Sequence, residues 1–332
     1  MPKILKVILL LFSVLISGVL IFLFVGKATP AENIKWGVVF SQKHAELMGL
    51  DWKANYLAIL DDLQMKNLKL IAYWDLIEKE PGVFDFIDMD WQINEAKKRG
   101  AEVLLVIGRK VPRWPECHVP GWIKSLSQEE QKQKTLEMVE RIVLRYKDNS
   151  AIKYWQVENE PLYPFGECAL FGDEFLKKEI TAVKSLSDRP VVISDSGEYS
   201  LWFRAAKLGD VLGFTLYKNV WFKEIKRYIT YPFPSIYYNR KAWLIKKIFN
   251  KPSICVELQA EPWGATLLYD SPLEEQKKSM DLQKLRRIIQ FARNTGTDTF
   301  YLWGSEWWYW MKEKQNQPEI WNEIQTLSAW HE

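Results

Sequence analysis

From about residue 34 onward, short apolar runs alternate with segments whose apolar positions recur at helical spacing. The runs Trp36–Phe40, Leu68–Tyr73, Glu102–Ile107, Ile152–Val157, Val191–Ser194, Val211–Tyr217, Ser253–Glu257 and Thr299–Trp303 are rich in β-branched and aromatic residues and have strand length. Helices are predicted near Lys53–Lys66, Asp88–Arg99, Gln128–Tyr146, Asp173–Ser185, Leu201–Leu208, Lys241–Phe249, Leu273–Asn294 and Pro318–Ala329, with Gly100 and Gly296 as stop signals. An aromatic segment around Trp221–Tyr238 fits neither period. A strand–helix alternation implies parallel pairing, because each crossover consumes a helix's worth of residues. Eight such units predict an α/β fold of the (β/α)8 type, a TIM barrel. A doubly wound open sheet is the competitor, but no Gly-rich phosphate turn comes after the first strand.

The start of the chain obeys a different pattern. Val7–Val25 carries no charge and comes after Lys3 and Lys6. A secretory apolar region usually takes ~7–15 residues and a spanning helix roughly 20, so the run suits a signal anchor better than a cleaved leader. Gly26-Lys27-Ala28 is the alternative, a cleavage site. Lysines before the span stay inside, which places the remainder of the chain outside the cytoplasm. The expected division is residues 1–30 as cytoplasmic tip, anchor and linker, and residues 31–332 as the barrel domain.

Composition changes this picture in one respect. Lys and Arg total 45 against 42 Asp and Glu, with no basic tract, so nucleic acid is not an expected partner. The histidines, His44, His118 and His331, are scattered, and no metal-binding spacing occurs; neither a metal nor a cofactor is expected. The aromatic count is the unusual feature, at 17 Trp, 14 Tyr and 16 Phe. Such numbers fit either a Trp-rich core or flat platforms for sugar rings. Cys255 lies in an apolar run and reads as a buried thiol. Cys117 and Cys168 fall in loops after adjacent predicted strands, and outside the cytoplasm they are expected to pair as a disulfide.

In α/β barrels the chemistry sits at the carboxyl ends of the strands. The fourth predicted strand runs into Asn159-Glu160-Pro161, where proline stops the ladder. The seventh ends on Glu257. Carboxylates on strands four and seven face each other across the barrel mouth. Glycoside hydrolysis needs such a pair, one to protonate the leaving oxygen and one to attack the anomeric carbon or activate water. Glu158 reads as an ion-pair residue on the same side as Glu160 if the strand continues. Glu261, past the seventh strand, is the weaker candidate for the partner carboxylate.

Several segments together resemble clan A of the glycoside hydrolases, retaining (β/α)8 enzymes with catalytic glutamates on strands four and seven. Trp155-Gln-Val-Glu-Asn-Glu-Pro161 is similar to the acid/base strand of that clan, and Lys251-Pro-Ser-Ile-Cys-Val-Glu257 to its nucleophile strand. Tyr73-Trp-Asp-Leu-Ile-Glu-Lys-Glu-Pro-Gly-Val-Phe-Asp85 resembles its second-strand loop. The resemblance implies Glu160 as acid/base, Glu257 as nucleophile, Asn159 on the sugar 2-hydroxyl, Tyr217 hydrogen-bonded to the nucleophile, and Trp303 lining the subsite at the cleaved bond. It departs at two points. Lys69 stands nearest the strand-two position where the clan carries an Arg, and it lacks the forked geometry of Arg. Thr215 stands where some families have His.

Trp74, Trp263 and His118 also lie past predicted strand ends and are candidate sugar contacts, Lys69 is counted with them among the substrate-binding residues, and Asp195 and Glu198 read equally as loop braces. The expected activity is endo-acting hydrolysis of a β-linked poly- or oligosaccharide by double displacement. This requires carboxyls about 5–5.5 Å apart and a raised pKa on Glu160. A cell-surface transglycosylase uses the same chemistry, and a non-catalytic carbohydrate-binding barrel is the alternative of a different class.

Overall fold

The computed structural model describes residues 3–328. Eight parallel strands close into a TIM barrel: β1 (Lys35–Phe40), β2 (Asn67–Ile71), β3 (Glu102–Ile107), β4 (Ile152–Val157), β5 (Val191–Asp195), β6 (Val211–Leu216), β7 (Ser253–Gln259) and β8 (Thr299–Trp303). Each pairs with its sequence neighbour, and β8 returns to β1. The strand bounds differ from the sequence expectation by no more than two residues. Side chains alternate across the barrel wall even where the sequence is apolar throughout. In β3, Val103, Leu105 and Ile107 pack outward against the helices, while Leu104 and Val106 join an interior cluster with Val39, Ile71, Val192 and Ile254.

β7 breaks that alternation. β6 pairs Phe214 with Cys255 but its next residue, Thr215, with Glu257. β8 likewise pairs Phe300 with Cys255 and Leu302 with Leu258. One extra residue in β7 therefore stands between Cys255 and Leu258, a β-bulge. Val256 joins the interior cluster, yet the Glu257 side chain also reaches interior partners. Strict alternation would have aimed Glu257 outward with Cys255. Gly213 on β6 clears the space, since a Cβ built there would lie 2.9 Å from Val256 Cγ1.

Elements that the sequence missed lie mostly in the loops. The predicted helix Leu273–Asn294 is two helices, Leu273–Ser279 and Leu282–Arg293. Met280 between them is extended, and Asp281 caps the second by accepting from the Lys284 N–H at 2.7 Å. The aromatic segment holds an antiparallel hairpin, Asn219–Phe222 with Arg227–Thr230. The helix after it starts at Ser235 rather than Lys241. Helix Ser305–Gln315 comes directly after β8. The last helix is Glu319–Ser328, and the predicted end, Ala329, lies outside the described residues.

The N-terminal helix, Lys3–Phe24, is exposed along nearly all its length. Its last turn is seated on helix Ser235–Phe249. Phe22 meets Trp243 at 5.8 Å, Phe24 stacks on Tyr237 at 5.2 Å, and Arg240 lies over Phe22 at 4.8 Å. Leu23 is buried.

Candidate active site

The bulge delivers Glu257 to two donors inside the barrel. Lys69, fully buried on β2, donates from Nζ to Oε1 at 2.8 Å. Tyr217, just past β6, donates from Oη to Oε2 at 2.9 Å. Both carboxylate oxygens are thus engaged, one of them by a cation. Lys69 was expected among residues contacting substrate. The structure corrects this, because its ammonium is spent on Glu257 and it has no exposed surface.

Glu160 is reached differently. β4 ends at Val157, and both Glu158 (φ +59°) and Glu160 (φ +44°) take left-handed backbone. These are uncommon for residues with a Cβ and bend the chain sharply. Glu158 therefore does not share a side with Glu160. Its carboxylate turns to the loop after β3, accepting from the N–H groups of Arg109 at 3.0 Å and Lys110 at 2.5 Å. A Cβ on Gly108 would collide with it, 2.7 Å from Cδ. Glu160 is buried, with its N–H donating to Ser194 Oγ at 2.8 Å and Oε1 accepting from Thr215 Oγ1 at 2.9 Å. Burial raises its pKa well above the ordinary carboxylate range, reinforced by the charges of Glu116 and Glu257. The site thus holds one carboxylate paired with a cation and one in surroundings that retain its proton.

Asn159 is fully buried. Its Nδ2 donates to Glu116 Oε1 at 3.2 Å and its Oδ1 accepts from Gln156 Nε2 at 3.1 Å. Trp303 donates from Nε1 to Glu261 Oε1 at 2.7 Å and carries Arg113 over its ring at 4.0 Å. Arg113 binds Glu261 as well as Glu306, the latter at 2.5 Å. Glu261 is thereby a partner of Arg113 and Trp303 on the β7–β8 side of the mouth. Trp263 is half-buried and meets the ring of Tyr217, whose hydroxyl binds Glu257, edge-on at 5.1 Å. Trp114, 52% exposed, lies beside Phe165, and Tyr163 stacks on Tyr199 at 5.9 Å.

Two further expected sugar contacts are corrected. Trp74 is fully buried, with Nε1 donating to Glu78 at 2.7 Å and Trp122 packed edge-on against it. It offers no face to a ligand. His118 is buried against Tyr73 at 4.6 Å, with Nε2 on the Arg113 carbonyl at 2.9 Å. Burial and neighbouring Lys43 lower its pKa to about 4, so it serves as a neutral brace of the loop after β3. Asp195 and Glu198 brace loops: Asp195 accepts from Ser200 and the Ser196 N–H, and Glu198 from Tyr238 and the Tyr217 N–H. Cys117 and Cys168 are joined by a disulfide that ties the loop after β3 to the loop after β4. Among the described residues no group of three or more His, Cys, Asp or Glu is placed to hold a metal ion.

No protein-family model and no curated protein matches the chain. Solved structures do. A polyextremophilic β-galactosidase from the Antarctic haloarchaeon Halorubrum lacusprofundi gives a TM-score of 0.54 at 14% identity, over 81% of this chain and 52% of its own. Xylanase 10B from Thermotoga petrophila, in complex with xylobiose, gives 0.53 at 16% identity and 82% of each chain. A GH5_18 variant from Bifidobacterium longum, in complex with Manβ1-4GlcNAc, gives 0.59 at 12% identity, over 90% of this chain and 78% of that one. The likeness is one of fold. The chain spans about half the length of the haloarchaeal β-galactosidase.

Sequence reasoning overlooked three members of the site. Glu116 and Arg113 lie in a proline-broken loop with no period to read, and both take left-handed backbone (φ +55° and +79°). Thr215 was noted only as a departure, yet its hydroxyl holds Glu160. Glu116 carried one usable signal, its place next to Cys117.

Proposed function

We propose that the protein is a retaining glycoside hydrolase acting on a β-linked oligo- or polysaccharide, with Glu257 as nucleophile and Glu160 as acid/base. The observation that carries this reading is the contrast between the two carboxyls. Glu257 is bound by Lys69 and Tyr217, whereas Glu160 is buried with a strongly raised pKa. A carboxylate held by a cation facing a buried carboxyl of raised pKa is the arrangement that an acid–nucleophile division of labour requires. Glu257 attacks the anomeric carbon while Glu160 gives its proton to the leaving oxygen. Water then cleaves the glycosyl-enzyme, with Glu160 taking the proton back. Asn159 stands directly before the acid, where the resemblance puts the contact to the sugar 2-hydroxyl, and Trp303 and Trp263 flank the cleaved bond. The exposed Trp114 and Tyr199 extend the aromatic surface beyond one sugar, which supports endo action. The apolar helix Ile4–Phe24 and the Cys117–Cys168 disulfide support an anchored protein facing an oxidising compartment.

The test is hydrolysis of β-glucan, β-mannan, xylan and galactan oligomers by the wild type beside Glu160→Gln and Glu257→Gln. Each substitution should lower kcat by at least roughly a thousandfold, as losing a unit of a catalytic pair does. Wild-type turnover in Glu257→Gln would remove the mechanism.

A further inference from the structure

Glu116 has no part in the chemistry just described, yet it is the carboxylate the loop after β3 takes most trouble to place. It is 6% exposed. Its Oε2 accepts from Lys110 Nζ at 2.8 Å and its Oε1 from Asn159 Nδ2 at 3.2 Å. Lys110 Nζ also donates to the Asn159 carbonyl at 2.7 Å. Carboxylate, ammonium and Asn159 thus form a closed ring on the residue immediately before Glu160. The backbone is fixed from several sides. The Glu116 N–H donates to the Arg113 carbonyl at 2.7 Å, and Cys117 is tied to Cys168. Gly166 leaves room for the loop, since a Cβ there would lie 2.8 Å from the Glu116 Cβ. Burying a third acidic group near two others is unfavourable unless it serves something.

We propose that Glu116 is a positioning residue, whose charge keeps the proton on Glu160 and whose hydrogen bond sets the Asn159 amide. This rests on the reading of Glu160 as the acid. Among the charges acting on Glu160, that of Glu116 raises its pKa most, ahead of that of Glu257, while Lys110 and the Thr215 hydroxyl oppose them. Tyr163 and Tyr217 are the other titratable neighbours of Glu160, both with pKa values raised by burial first. Glu116 itself faces Lys110, Glu257 and Asn159, and burial pushes it up to about 7. Its charge is therefore fullest on the alkaline side of neutrality, where Glu160 would otherwise lose its proton. The lysine that holds Glu116 keeps that charge from rising out of range.

The experiment is kcat/KM against pH for the full-length protein, on the best-cleaved unactivated oligomer of the glycan panel, whose leaving oxygen needs the proton. Glu116→Gln should move the alkaline limb about one pH unit towards acid, roughly a tenfold loss on that side. Glu116→Asp should restore most of that shift. Glu116→Ala, which removes the same charge with a smaller side chain, should move the limb in the same direction as Glu116→Gln, and it serves as the readout should Glu116→Gln fail to fold. A fall in kcat at every pH with the limb unmoved, in whichever of the two variants folds, would overturn the proposal and leave Glu116 a packing role. Wild-type turnover in Glu160→Gln would instead remove the reading on which it rests.

Discussion

At the scale of residues, the site concentrates buried acids that hold protons. Glu160, Glu116 and Glu198 all have raised pKa values, with burial the first cause in each; Glu116 and Glu198 reach about 7. A carboxyl whose folded pKa lies above its unfolded value binds its proton more tightly when folded. Its stabilising contribution is full below the unfolded pKa and is lost as pH rises through the folded one. The protein is therefore expected to lose stability from about pH 4.5 upward, through about 7 for Glu116 and Glu198 and higher for Glu160. Glu160→Gln should melt later than the wild type at alkaline pH and nearly with it at pH values near 4. Melting curves across that range check this; an equal shift at both ends would count against a raised Glu160. Lys69 is the contrasting case. A point-like ammonium braces Glu257 through one oxygen, leaving the other to Tyr217.

At the scale of elements, the bulge in β7 and the left-handed end of β4 do the aiming. Gly213→Ala should crowd Val256 Cγ1 (2.9 Å) and Val192 Cγ1 (3.0 Å). Overpacking of that kind costs about 1–3 kcal/mol and here pushes on the bulge that orients Glu257. Urea unfolding should show the loss, and kcat should fall with it, though no catalytic group is altered. An unchanged midpoint would mean that β7 absorbs the methyl. These elements also mark where the sequence was legible. The strands were readable because burial on both faces forces apolar runs, and Glu160 and Glu257 because they stand directly after such runs. What escaped depended on three-dimensional closure. A bulge is a pairing irregularity, and nothing in Ser253–Glu257 by itself announces it. Trp74 comes after β2 like any loop residue, yet Trp122 and Glu78 bury it, and no local pattern separates a burying loop from an open one. The break at Met280–Asp281 was hidden because good helix formers stand on both sides of it.

At the scale of the molecule, a nearly neutral chain of net charge +3 carries one apolar helix that is exposed along most of its length and meets the barrel at its last turn. The helix Ile4–Phe24 has 21 residues, about 31 Å at 1.5 Å per residue, against a hydrocarbon core of about 30 Å. If it is retained as an anchor, the full chain should stay with membranes through an alkaline carbonate wash, and deletion of residues 4–24 should release it. Full-length protein in the wash supernatant would argue against an anchor, and a shortened chain there would argue for cleavage.

The seating of Leu23 and Phe24 on the barrel would give such an anchor, if the helix is one, a mechanical meaning. A flexible leash would let a tethered enzyme graze over a hemisphere. Here the helix is docked on the barrel at its last turn, and residues 25–34 join it to β1. Anchored by this helix, a barrel of this build would behave as a fixed turret, with its mouth held at one height and one tilt above the bilayer. Its glycan would have to be fed to it, as a chain growing from the same surface is, rather than hunted at a distance.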